Sequence, residues 1–355
     1  MRKRYYNVER SARTSGKGKY QILKRLLRHR RSSIFELAAD YDGTLIELTR
    51  DLEALIGEGA IKERNGVFQL RRESIPEHYK KLIRLEEELN RNFDEVSLVR
   101  RFKQITSGRP KPKKEHWQGF MSAESAVRRA RFIHERCDDC LSRILLIGDD
   151  DLVSVAISLF GQAEEIVVLD IDEELVHYIN QIASEHNFWI RAFPYDARSP
   201  LPKAFRNYFD AFVTEPPETL RGLRLFLSRG FQSLQGTGSA GYFGLTHIEA
   251  SLRKWKRIEH FILSSGFVIT DLLRDSARYP EKENAWEDLY AKYPIVQRWN
   301  AKPPKIDWYR SSLIRIEAVE QIKVRNVSVR SPAELFVDHE SWATDNVFYS
   351  MNFQK

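Results

Sequence analysis

Apolar residues recur at helical spacing in three short stretches near the start of the chain. Ile22, Leu23, Leu26 and Leu27 make the first. Ile34, Leu37 and Ala38 make the second, with Ser32 or Ser33 as N-cap, and Leu45, Leu48, Leu52, Leu55 and Ile56 make the third, between Thr44 and Gly57. Such spacing buries one face of a helix, and a hydroxyl ahead of the run supplies the acceptor a helix start needs. GAIKERNGVFQL (59–70) then predicts a β-hairpin, because Asn65-Gly66 suits the positive φ angles of a two-residue turn. Three helices and a hairpin predict a winged-helix domain over 19–75, preceded by a flexible basic arm at 1–18. Tyr79, Leu82, Leu85, Leu89, Phe93, Val96 and Val99 predict one or two further helices. SGRPKPKK (107–114) is Pro/Lys-rich and reads as an extended linker, so 76–115 is a helical connector.

From His116 the pattern alternates. Strands are predicted at 143–147, 166–170, 189–193, 209–214, 241–245, 267–273 and 313–319. Helices are predicted at 152–160, 173–186, 219–234 and 248–265. Alternation of this kind gives a mostly parallel sheet with helices on both faces. Seven strands with a long excursion before the last predict an α/β, methyltransferase-like Rossmann fold over 116–320. The tail, 321–355, has little periodicity.

Composition narrows the class. No apolar run approaches the ~20 residues that cross a bilayer, and no apolar segment of a signal peptide follows MRKRYYNVER. Two cysteines exclude a disulfide scaffold, which leaves a cytoplasmic enzyme as the expectation. The net charge of +7 hides a basic head and an acidic middle: residues 1–31 hold 12 bases and one acid, residues 138–174 eleven acids and one base. The two ends of that asymmetry suit different partners. The third predicted helix, TLIELTRDLEALI, carries more acid than base, which is poor for phosphate contact.

ILLIGDDDLVSVA (144–156) is the most informative stretch. A strand ends at Ile147, Gly148 turns, and a helix follows; in open α/β sheets ligands sit outside such carboxyl ends. A dinucleotide loop would offer more glycines to pyrophosphate. Here Asp149, Asp150 and Asp151 follow instead, and three carboxylates repel phosphate. One or two acids would suit a helix cap, but three in a row exceed that need. Asp170 ends the second strand 22 positions after Gly148, near the spacing of an acid that binds ribose hydroxyls. Tyr195-Asp196-Ala197 follows the third strand, where adenine is often met. Glu215-Pro216-Pro217-Glu218 ends the fourth, its prolines fixing a turn that aims two glutamates at one edge of the sheet.

Charge then selects a ligand. Like unit charges 4 Å apart repel by roughly 4 kcal/mol at an effective dielectric of ~20. Three aspartates beside the first strand would reject the methionine carboxylate of S-adenosylmethionine. They would accept decarboxylated S-adenosylmethionine and a polyamine.

GDDD (148–151), VVLDID (167–172), YDAR (195–198), TEPPET (214–219), GYFGLTHIEASLRKW (241–255) and GFVITDLLRD (266–275), with QGFMSAESAVRRA (118–130) upstream, resemble the branched-chain polyamine synthases of thermophilic archaea and bacteria. The resemblance covers roughly 116–320, and that family's small N-terminal winged helix agrees with the reading of the first domain. It implies transfer of aminopropyl groups from decarboxylated S-adenosylmethionine to the internal nitrogen of spermidine, giving a tertiary amine and then a quaternary ammonium. Methylthioadenosine leaves each time. Asp150 is then expected as the base, with Asp149 and Asp151 on flanking ammoniums. Gly148, Asp170, Asp172, Asp196 and Ala197 are expected on the nucleoside side, and Glu215 and Glu218 on the amine. No permanently bound cofactor and no metal are expected, and a homodimer is. One position departs: the family has Asp before Pro-Pro, where Glu215 stands here.

Two features read as ordinary. Cys137 and Cys140 form a CxxC without the second ligand pair that tetrahedral zinc wants. YPEKENAWEDLY (279–290) reads as a lid over a cation, through Glu281, Glu283, Glu287 and Asp288, or as a solvated helix. Two other functions compete. An amine methyltransferase would read 215–218 as a variant Pro-Pro-Tyr loop, but lacks the stacking aromatic. A winged-helix regulator would use the basic arm on nucleic acid, and leaves GDDD without a purpose.

Overall fold

The computed structural model describes residues 16–92, 94–113, 116, 118–280, 298–299, 302, 305–325, 327–329, 333–336 and 338–340. Residues 1–15 of the basic arm, 281–290 of the lid segment and much of the tail lie outside them. Helix α1 (Lys17–His29) takes Lys17 and Gly18 from the predicted arm. Lys17 is paired with Asp138, and a β-carbon at Gly18 would collide with Tyr41 and Asp51. Strand β1 (Ser32–Ser33), α2 (Ile34–Ala39) and α3 (Leu45–Gly57) follow. Ser33 with Glu36, and Thr44 with Glu47, form reciprocal capping boxes that fix both helix starts. The hairpin β2 (Ile61–Arg64) and β3 (Val67–Leu70) turns at Asn65 and Gly66, with φ of 54° and 76°. The small sheet runs β1-β3-β2, so Ser32–Ser33 add a short strand to the predicted hairpin. Its core is Ile22, Leu23, Leu26, Leu48, Leu52, Leu55 and Ile61, all nearly inaccessible.

Helices α4 (Glu77–Asn92) and α5 (Glu95–Ile105) connect to the large domain, which opens with α6 (Ala123–Glu135). Then come β4 (Arg143–Ile147), α7 (Val153–Ser158), β5 (Glu165–Asp170), α8 (Glu173–His186), β6 (Ile190–Pro194), β7 (Ala211–Thr214), α9 (Leu220–Ser233), β8 (Ala240–Leu245), α10 (Leu252–Ser264), β9 (Phe267–Arg278) and β10 (Arg310–Ala318). The seven strands are ordered β6-β5-β4-β7-β8-β10-β9. Only β10 runs antiparallel to its neighbours. The chain reverses its direction of travel across the sheet at β4, so a crevice opens at the carboxyl ends of β4 and β7. One core packs α5 to α8 on one face, and a second packs α9 and α10 on the other.

Strand β9 runs five residues beyond the predicted Leu273. It pairs with β10 through two register shifts, and its alternate half-burial is a weaker signal than an apolar run. Helix α10 begins at Leu252 rather than Ile248, because the Ser251 side chain accepts from Lys254 N–H. Among the described residues no helix is long and apolar enough to cross a membrane.

Candidate active site

Strand β4 is buried and apolar, so its end is held rigidly. Gly148 has φ 72° with open space around it, so the requirement there is backbone conformation. Its N–H donates to Leu169 O at 2.9 Å, and Asp149 N–H donates to Asp170 Oδ2 at 2.9 Å. Asp170 Oδ1 accepts from Asp172 N–H at 2.9 Å. Asp170 therefore ties the loops after β4 and β5 together. Leu152 closes the turn in the left-handed region (φ 54°), a strained setting for a leucine.

The three aspartates part company. Both oxygens of Asp149 lie 3.3 Å from Ser154 N–H, so this acid turns back onto α7. The capping role that three acids together exceed belongs to Asp149 alone. Asp150 Oδ2 accepts from Gly119 N–H at 3.1 Å, and Asp151 Oδ1 from Met121 N–H at 2.6 Å. Asp151 Oδ2 is buried without a hydrogen-bond partner among the described residues. The expected linker's Arg109 and Lys113, and Gln118–Met121 beyond it, thus pack over the loop as a strap. Arg109 sits 3.7 Å above the Phe120 ring and donates to Asp150 O at 3.2 Å. Lys113 pairs with Asp172 at 2.6 Å, and Gln118 donates to it at 2.9 Å.

From β7, Glu215 is held by Arg129 (2.7 Å), Tyr279 OH (2.6 Å) and Ser311 OH (3.0 Å). It lies over Gly244 of β8, where any β-carbon would collide with the carboxylate. Glu218 Oε1 accepts from Thr246 N–H at 3.0 Å, while its Oε2 is buried with no partner among the described residues. Glu249 completes this side, with Tyr309 OH at 3.4 Å from Oε1.

Acids outnumber cations here, and their protonation shows it. Burial, then Ser154-opposed repulsion from Asp151 and Asp170, pushes Asp149 well up. Burial and the charges of Asp151 and Asp170 do the same to Asp150. Burial and Glu215 raise Asp151 to about 7, against Arg129. Burial raises Asp170. Burial and Glu249 push Glu218 well up, and burial raises Glu249 to about 7. Buried carboxyls that outnumber their cations make this cleft the candidate site for a cationic ligand.

The other expected residues are engaged differently. Asp172 caps α8 through Glu174 and Leu175 N–H, and Lys113 and Gln118 hold it below the ordinary range despite burial. Asp196 is paired with Arg198 at 2.5 Å, and Ala197 O accepts from Arg229 Nε at 2.9 Å. Beside Asp170, Ile171 and Phe193 are exposed apolar side chains at the ends of β5 and β6. Arg129, Arg109, Gly244, Glu249 and Tyr279 were not anticipated. A signal existed for two of them: Arg129 falls on the apolar stripe of α6 with Ala126, Ala130 and Ile133, and Gly244 interrupts a buried strand. Cys137 and Cys140 are free and buried, away from this crevice beside Lys24, and no cluster of three metal-ligating side chains occurs among the described residues.

Comparison with known proteins agrees in extent and architecture. Residues 97–343 match the family described as branched-chain polyamine synthase A C-terminal domain. The N(4)-bis(aminopropyl)spermidine synthase of Thermococcus kodakarensis is 39% identical over 254 residues, 70% of each chain. The same-named protein of Methanocaldococcus jannaschii is 36% identical over the same share. A crystal structure of the Thermus thermophilus branched-chain polyamine synthase C9 mutein, with N4-aminopropylspermidine and 5′-methylthioadenosine, superposes with a TM-score of 0.63 at 29% identity. It covers 92% of this chain and 93% of that one.

Proposed function

The chain belongs to the branched-chain polyamine synthase family, and from that premise we propose how its own residues divide the work. It is an aminopropyltransferase that uses decarboxylated S-adenosylmethionine as co-substrate, acts on the internal amine of spermidine and releases methylthioadenosine. The observation that carries the assignment of roles is the pair of buried, unpartnered carboxylate oxygens, Asp151 Oδ2 and Glu218 Oε2, in a cleft with too little positive charge. A buried acceptor left unpaired is costly, and the ammonium groups of a polyamine supply the missing donors. Asp151 and Glu218, with Glu249, hold those ammoniums. Asp149 anchors the loop, and Glu215 is the strut that Arg129 fixes. Its extra methylene over Asp helps it span Arg129, Tyr279 and Ser311.

The sulfonium already makes the propyl carbon electrophilic, so the protein must align the nitrogen and free its lone pair. Alkyl amines are protonated at neutral pH. Asp150, the middle acid, takes the proton. The nitrogen then attacks the carbon, the C–N bond forms, the C–S bond breaks, and neutral methylthioadenosine leaves. After the second transfer the nitrogen has no lone pair and reaction there stops. Asp170 faces the ribose, and Ile171 and Phe193 offer adenine an apolar ledge, with Gly148 and Ala197 as close backbone and Asp196 at the rim. Asp172 acts through the α8 cap. A methyltransferase would bring a carboxylate beside acids already repelling one another.

Residues 19–75 serve structure rather than nucleic acid, in keeping with an acidic α3 and with Lys17 and Lys24 docked on the large domain. Phe35, Leu45 and Ile46 are each exposed on this unit, in keeping with a homodimer. Two free thiols suit a cytoplasmic setting. The test of the transfer itself is product mass. Spermidine with the decarboxylated donor should gain one and then two aminopropyl groups, and with S-adenosylmethionine it should gain nothing; a methylated product would overturn the assignment.

A further inference from the structure

The strap contains a cation whose place is hard to explain by amine binding. Arg109 stands among acids meant for a cationic substrate, where its charge opposes that substrate. Arg129, the other guanidinium of the cleft, is spent on Glu215 at 2.7 Å. Arg109 instead gives its N–H to the main-chain oxygen of Asp150 and stacks on Phe120. Its charge is therefore held beside the triad through a main-chain oxygen rather than a carboxylate oxygen. It acts favourably on the charged forms of Asp150 and Asp151 alike.

We propose that Arg109 is a positioning residue that keeps the Asp150 carboxylate ready to accept the amine's proton without occupying its oxygens. The surroundings make such a device necessary. Asp151 faces Asp150 from its own loop, and Asp170 from the end of β5; Gly119 N–H and Arg109 oppose them from the strap. Beyond these, Arg129 and Glu215 act on Asp151, and His116 on Asp170. Burial and the charges of Asp151 and Asp170 already push Asp150 up, and without Arg109 it would be pushed further, leaving less of it ionised to take the proton. The inference rests on the assignment of Asp150 as that base.

The test is the pH profile of single-turnover aminopropyl transfer, with donor and spermidine saturating, in Arg109→Met, Arg109→Lys and the parent. An opposite charge within ~4–6 Å lowers a carboxyl pKa by about 1–3 units. Losing it should move the acid limb of Arg109→Met upward by about one unit, with the rate recovering to within a few-fold of the parent at high pH. Arg109→Lys should return the limb toward the parent position. The same acceptor is used throughout, so its own titration cancels. A rate reduced equally at every pH, or a limb that stays in place, overturns the proposal. Asp150→Asn runs alongside: if that variant keeps its rate, the base assignment has failed, whereas if it loses transfer and the Arg109→Met limb is unmoved, only the present inference has.

Discussion

Two regions of this molecule bury charge, and they do so in opposite ways. Where the N-terminal unit meets the large domain, each acid has a cation. Asp138 meets Arg315 at 2.8 Å, Lys17 and the Tyr242 hydroxyl, and Arg315 also reaches Glu317 at 2.8 Å. Glu86 lies 3.2 Å from His134 and 3.1 Å from Arg28. Burial pushes both acids up, but Arg315 and Lys17 hold Asp138, and His134 and Lys24 hold Glu86, far below the ordinary range. In the crevice the same burial goes unanswered and the acids rise. Paired buried charge fixes how two parts of a chain dock. Unpaired buried charge waits for a ligand.

The largest test of that contrast is catalytic. Asp150→Asn keeps shape and removes the base, so single-turnover transfer should fall by about 10²–10⁴-fold. Methylthioadenosine affinity, measured by calorimetry, should change far less. Next comes stability, where the two regions should respond with opposite signs. Asp138→Asn leaves Arg315 buried without its main anion, and a broken buried pair costs about 3–5 kcal/mol. Asp151→Asn removes a charge that the ligand-free fold resists, so denaturant unfolding at pH 8 should show it more stable than the parent while spermidine binds more weakly.

The pH dependence separates the regions again. Asp138 and Glu86 bind protons less readily folded than unfolded, so their contribution is full above the ordinary value of about 4 and is lost as pH falls from there through their lower folded values. Asp151 and Glu249 bind protons more readily folded. Their charge costs stability as pH rises from about 4 to the folded value of about 7. Thermal melts of ligand-free protein should therefore decline toward pH 8, and saturating spermidine should offset that decline more at pH 8 than at pH 5.5. The smallest effect is expected from deleting residues 1–15, which should leave transfer unchanged; the cut stops there because Lys17 is already part of the docked seam.

Local signals made the fold legible. Strand β4 and helix α8 fall on the predicted residues, because an apolar run and a 3.6-residue stripe each report their own burial. The hairpin turn and both N-terminal caps were equally plain. GDDD announced the site because its excess of charge is local too. What stayed hidden was long-range. The strap residues 108–113 and 118–121 have no periodicity, and their meaning lies in contacts 30 to 41 residues away. Glu215 is tied to Arg129, 86 positions off, which no local pattern reveals. Asp149 differs from its neighbours only by the direction its side chain takes.

The central claim is that the crevice acids are protonated in part until a polyamine arrives. Calorimetry of spermidine binding to the methylthioadenosine-loaded protein at pH 7, repeated in buffers of different ionisation enthalpy, counts the protons exchanged. With Asp151 near half-protonated at that pH, the parent should release about half a proton more than Asp151→Asn at saturating spermidine. Equal proton counts in the two proteins, or a net uptake by the parent, would contradict the account.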